Sequence, residues 1–130
     1  MIVYYDPIYT DGLHAEARFP RDRYRLLAER LAPLANLELR KPAPARREDL
    51  LLAHDPDYVD RFLQGDLTEK EIRRIGLRPW TDAIVTRTLQ LTGGSLQALE
   101  QALATGGIAG NMAGGTHHAF YDHGSGYCIF

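Results

Sequence analysis

The sequence predicts an α/β protein built on a parallel sheet, and three observations carry that reading. Ile2–Tyr5 is a short apolar run stopped by Asp6-Pro7. A long stretch of helical period, Thr81 to Ala104, lies between short strand-like runs. The order along the chain is strand, helix, strand, several helices, strand, the pattern of right-handed crossovers between parallel strands.

Each element has its own warrant. Ile2–Tyr5 reads as a buried first strand, apolar on both faces. Residues 8–19 hold Gly12 and His14, show no period and read as a loop. A helix is expected from Pro20, whose fixed φ suits a first helical position. Tyr24, Leu27, Leu31 and Leu34 follow at helical spacing, with Pro33 near the end. Leu37-Glu38-Leu39 alternates as a second strand, closed by Pro42 and Pro44.

Arg46 to Ala53 reads as a short helix. Asp55-Pro56 starts another, with the Asp as cap and the Pro in the first turn. Its apolar stripe is Tyr58, Val59, Phe62 and Leu63, and Gly65 ends it. Thr68-Glu69-Lys70-Glu71 has the capping-box form, so a further helix runs to Gly76. In the long segment, Ile84, Thr88, Leu91, Ser95, Leu99 and Ala102 share a broad face. Gly93-Gly94 either weakens that helix or permits close packing. Ile108 to Met112 reads as the third strand.

Composition bounds the function. The chain has 130 residues, 45% hydrophobic and 25% charged, with net charge −2. That balance exerts no general pull on nucleic acid or an anionic membrane. One cysteine, Cys128, excludes an internal disulfide framework. The opening Met-Ile-Val-Tyr-Tyr-Asp lacks a secretory signal, and no apolar run approaches a membrane span, so a cytoplasmic protein is expected.

Chemistry concentrates at residues 114–128: Gly-Gly-Thr-His-His-Ala-Phe-Tyr-Asp-His-Gly-Ser-Gly-Tyr-Cys. The stretch follows the third strand, where open α/β sheets place ligands. His117 and His118 suit proton transfer near neutral pH. Gly114 and Gly115 allow a sharp turn and room for a ligand. Two adjacent loop histidines are equally compatible with a bland polar surface. Metal binding by His117, His118 and His123 is disfavoured, because neighbouring side chains on an extended strand point to opposite faces. Residues 110–115 lack the Lys-Ser/Thr of a phosphate loop, and Gly124-Ser125-Gly126 is not a nucleophile elbow. Cys128 fits a buried small hydrophobe better than a thiolate nucleophile.

Gly-Gly-Thr-His-His-Ala followed by Gly-Ser-Gly-Tyr-Cys closely resembles the histone deacetylase and acetylpolyamine amidohydrolase superfamily. Nearly the whole chain takes part. The opening Tyr-Tyr-Asp-Pro-Ile-Tyr is similar to the family's first strand and loop, and Arg18 to Tyr24 to its first helix entry. His54-Asp-Pro-Asp-Tyr58 is similar to its His-x-x-x-Tyr helix. Arg73 to Trp80 and the Gly-Gly helix are most similar to bacterial, class IV-like deacetylases.

The resemblance implies an arginase-like, eight-stranded parallel sheet with helices on both faces. Residues 1–130 would hold its first three strands, in the order 2-1-3, as a single partial domain. It implies hydrolysis of an acyl amide by zinc-activated water, on acetyl-lysine, acetylpolyamine or a similar acyl amine. His118 would be the general base, and His117 would support the oxyanion. Gly126 would offer its carbonyl to the substrate amide, and Tyr127 would wall the acyl tunnel.

The family's zinc ligands, an Asp-x-His pair and a later Asp, have no counterpart in residues 1–130. The expectations are therefore a chain that is inactive alone and holds no tight zinc. A non-catalytic fragment acting by assembly is the alternative. Self-association is expected through the third strand's edge, through the helix face of Ile84, Leu91 and Leu99, and through an apolar tail of Tyr127, Ile129 and Phe130.

Overall fold

The computed structural model describes residues 1–113 and 116–130. Three short strands form one sheet in the order β2-β1-β3. They are β1 (Ile2–Tyr4), β2 (Glu38–Arg40) and β3 (Ala109–Asn111). Both pairings are parallel, Ile2 lying opposite Glu38 on one side and Ala109 on the other. The architecture agrees with the sequence expectation.

Six helices lie among the described residues: α1 (Ile8–Asp11), α2 (Arg23–Leu31), α3 (Arg47–Leu50), α4 (Pro56–Gln64), α5 (Glu69–Ile75) and α6 (Ile84–Thr105). Helix α1 corrects the reading of residues 8–19 as loop throughout. Asp6 is the cause: its buried carboxylate accepts from the Ile8 amide at 2.8 Å, and its carbonyl accepts from Tyr9, closing one turn. A single turn is too short to leave a period in the sequence.

Helix α2 begins at Arg23, three residues after Pro20. Its buried positions are Tyr24 and Ala28, whereas Leu27 and Leu34 are exposed. The face read from leucine spacing is therefore rotated. Tyr24 and Phe19 stack at 6.1 Å, and Tyr9 meets Tyr24 edge-on at 5.9 Å, so aromatic packing sets the orientation.

Helices α4 and α5 follow their signals. Asp55 caps α4 by accepting from the Asp57 and Tyr58 amides at 3.0 and 3.1 Å, and Gly65 ends it in the left-handed region. Thr68 and Glu71 form the reciprocal capping box of α5. Tyr58, Val59 and Phe62 join Leu50, Ile75, Leu77 and Ile84 in the main core, together with Ile129 and Phe130. Ile129 and Phe130 of the apolar tail are thus buried within their own chain, a correction to the tail's expected part in self-association. Tyr127 alone stays exposed.

Helix α6 packs on β1 and β3. The glycine pair serves close approach: a Cβ at Gly93 would sit 2.0 Å from the Ala43 carbonyl oxygen, and one at Gly94 2.7 Å from the Tyr9 hydroxyl. The expected apolar face holds at Ile84 and Thr88 but not at Leu99, which is exposed. The far end of α6 carries Leu99 and Leu103 into solvent, as does Ile108 just before β3. No described helix is long and apolar enough to cross a membrane.

Candidate functional site

The site lies between the end of β3 and the chain segment 116–130. Gly114 and Gly115, read as the turn that admits a ligand, lie outside the described residues. His117 and His118 occupy a turn, not a strand. Their rings lie 4.0 Å apart, and both are exposed. The turn removes the alternation argument that set them on opposite faces.

Gly126 and Tyr127 form the tip of a two-residue hairpin. Ser125 and Cys128 exchange both backbone hydrogen bonds, at 2.9 and 2.8 Å. Both tip residues have positive φ, 52° at Gly126 and 70° at Tyr127, the pattern of a type I′ turn. For a tyrosine this conformation is costly, and it persists because the surroundings enforce it. The tip amides of Gly126 and Tyr127 donate to the Arg74 and Ile75 carbonyls at the end of α5. The Tyr127 ring meets Phe19 edge-on at 5.3 Å.

His118 lies directly on this tip. A Cβ at Gly126 would stand 2.6 Å from His118 Nδ1. Only a glycine lets the imidazole rest there. Neither His117 nor His118 has a side-chain hydrogen-bond partner among the described residues. His54 and His123 differ: His54 Nδ1 meets the Phe120 carbonyl at 3.0 Å, and His123 Nδ1 meets Asp122 at 2.7 Å. That contact holds the Asp122 carboxyl below its ordinary pKa.

A cavity of about 430 Å³ opens beside the pair. His117, Gly126, Tyr127 and Cys128 form part of its wall, and Phe19, Leu77, Leu91 and Phe130 supply apolar surface. The structure thus brings His117, Gly126 and Tyr127 to one cavity and sets His118 against Gly126. Thr116 ties the loop to the tail through its hydroxyl and the Phe130 carbonyl.

The sequence reading missed the inner wall. Arg87 is buried on α6, and its Nε donates to the Tyr9 carbonyl at 3.0 Å. Its guanidinium faces the Phe19 and Tyr24 rings at 5.9 and 5.8 Å. Burial lowers its pKa below the usual arginine value. An arginine one turn from Ile84 on a packed helix was the available signal. Arg23 lies closer to the same two rings and lines the same cavity.

One cluster of possible metal ligands occurs among the described residues: His117, His118 and Cys128, with one ligand atom from each within 4.8 Å of the others. It contains no carboxylate. That donor set does not match the Asp/His/Asp arrangement implied by the resemblance, so residues 1–130 do not themselves fit the family's catalytic zinc.

Comparison with known proteins agrees with this arrangement. The family model described as the histone deacetylase domain matches residues 17–130. An uncharacterized protein of Picosynechococcus sp. is 44% identical over 130 residues, covering 98% of this chain and 43% of that protein. The acetoin utilization protein AcuC of Bacillus subtilis is 29% identical, covering 97% of this chain and 36% of that protein. The crystal structure of an HDAC homolog from Aquifex aeolicus superposes with a TM-score of 0.70 at 27% identity. It covers 98% of this chain and 37% of that one. A structure of an HDAC homolog complexed with SAHA superposes at 0.71, with the same identity and the same coverage. The chain therefore spans roughly two fifths of the length of these relatives. The order β2-β1-β3, the paired histidines beside the Gly-Tyr-Cys hairpin and the family match lead to one conclusion: this chain belongs to the histone deacetylase domain family and carries the N-terminal part of its arginase-like fold.

Proposed function

We propose that residues 1–130 supply the proton-transfer and substrate-lining part of a zinc-dependent deacetylase site, working in the cytoplasm on an acyl-lysine, acetylpolyamine or similar acyl amine. The observation that carries this reading is the seating of His118 on Gly126, beside a cavity walled by His117 and Tyr127. An exposed imidazole that no other side chain among the described residues engages can take and return a proton. His118 acts as the general base and then as the acid toward the leaving amine. His117 steadies the developing oxyanion. The Gly126 carbonyl accepts from the substrate amide, and the Tyr127 ring bounds the acyl chain.

Alone, the 130 residues do not turn substrate over. A positioned base contributes about 10²–10⁴-fold, far short of the acceleration amide hydrolysis needs. Complementation with the remainder of a deacetylase domain tests the reading. Wild-type 1–130 restores hydrolysis of an acetyl-lysine peptide, and His118→Ala lowers the restored rate by roughly 10²-fold or more. A near-normal rate with His118→Ala would remove the assigned role.

The chain also self-associates under this reading. β3 is an outer strand of the sheet, so one of its edges has no strand partner among the described residues. Leu99, Leu103 and Ile108 expose apolar surface nearby. A second copy covers both, and a twofold dimer is the simplest closed form.

A further inference from the structure

We propose that His117, His118 and Cys128 form a thiolate-containing site for a borderline-soft divalent cation, of the Zn²⁺ or Co²⁺ type. This site is distinct in chemistry from a carboxylate-rich catalytic zinc site. It rests on the local geometry and not on the deacetylase reading.

The fold brings the three donors together by identifiable means. The turn at 117–118 places both rings on the same side, 4.0 Å apart. The hairpin 125–128 returns the chain so that Cys128 faces them. Gly126 has no side chain, and His118 fills the space a Cβ would take. One ligand atom from each residue lies within 4.8 Å of the other two. A tetrahedral ion with bonds of about 2.0–2.3 Å holds its ligand atoms roughly 3.5 Å apart. The exposed rings need to close by only about an ångström, which side-chain rotation supplies.

The donors are also available. Neither histidine is engaged by another side chain among the described residues. The Cys128 thiol makes only a long contact, 3.6 Å, to the Gly126 carbonyl. His123, by contrast, is committed to Asp122 at 2.7 Å, which excludes it from the set. Two imidazoles and a thiolate suit borderline and soft metals, and three protein ligands leave a fourth position open to water. Cys128 binds as the thiolate, and its proton passes to solvent. The ion takes the same imidazole lone pairs that proton transfer uses, so occupancy silences His118. The expectation of a chain without tight zinc rested on the missing Asp-x-His pair, which this different donor set does not need, and the turn does not impose the alternation that disfavoured a histidine site.

Cobalt titration of the reduced chain tests this. The expected result is one Co²⁺ per chain, a thiolate-to-cobalt charge-transfer band and displacement by Zn²⁺. Cys128→Ser abolishes the band. His117→Asn and His118→Asn each weaken binding by about 100-fold or more, since losing even an outer-shell partner costs about 10–100-fold. His123→Asn leaves binding unchanged. Circular dichroism checks that each variant is folded. The wild-type chain gives a second readout, in which saturating Zn²⁺ slows alkylation of Cys128 by iodoacetamide. Absence of binding, binding without the thiolate band, loss of binding in His123→Asn, or unprotected alkylation would each overturn the proposal.

Discussion

The Tyr58 hydroxyl donates to the Ile129 carbonyl at 3.0 Å, in a buried position that ties helix α4 to the last residues of the chain. Burial raises the Tyr58 pKa, so the hydroxyl stays a donor at any physiological pH. One turn earlier, His54 meets the Phe120 carbonyl, and the Asp55 amide donates to Tyr121. Helix α4 and the two residues before it therefore hold the hairpin segment at both ends, starting just after His118.

Tyr58→Phe keeps the ring and strands the Ile129 carbonyl. The expected loss is about 1–3 kcal/mol of stability. Urea denaturation measures it. An unchanged midpoint would mean that water replaces the hydroxyl.

Gly93→Ala and Gly65→Ala separate crowding from backbone strain. At Gly93 the new methyl meets backbone at 2.0 Å, so α6 must shift from the segment before α3, costing about 3 kcal/mol or preventing folding. At Gly65 nothing lies within 4 Å, and only the left-handed φ opposes the change, at about 1–2 kcal/mol. Thermal melts should rank the two in that order.

Gly126→Ala should move the His118 ring, because the methyl takes its place. A changed His118 imidazole signal in proton NMR, with the main-core methyl signals preserved, is the expected outcome. Identical His118 spectra would contradict the seating of His118 on the hairpin tip.

Leu103→Glu and Ile108→Lys place charge on the exposed apolar surface beside β3. Leu103 is 75% exposed and Ile108 79%, so neither change disturbs packing. Light scattering across a dilution series should show self-association in the wild type and a shift to monomer in the double variant. A wild-type chain that remains monomeric at high micromolar concentration would end this reading.

Much of this arrangement was readable before any coordinates. Caps carry local chemistry, so Asp55, Thr68, Gly65 and Gly76 marked α4 and α5 within a residue or so. The order of the three strands came through the Gly-Gly-Thr-His-His-Ala resemblance, since strand order is a long-range property that no local period encodes. What escaped was of two kinds. Helix α1 is one turn fixed by a single carboxylate, Asp6, and leaves no repeat. The faces of α2 and α6 were misjudged because leucine spacing competes with specific contacts: the Tyr9–Tyr24–Phe19 packing in one case and the glycine contacts in the other. The nearness of His117, His118 and Cys128 depends on a turn and a hairpin with a left-handed tyrosine. No sequence propensity favours a tyrosine there.

The central place of β1 has a consequence for how the chain acquires its shape. β1 is the earliest of the three strands in chain order, yet Ile2 finds one partner at Glu38 and the other only at Ala109. Closing those loops costs entropy before any ladder bond repays it. During synthesis β1 is half-paired until β3 has emerged. It is then a sticky apolar segment that a chaperone would shield. The β1–β3 pairing, and with it the delivery of the histidine loop to its cavity, waits for residues more than a hundred positions away from β1.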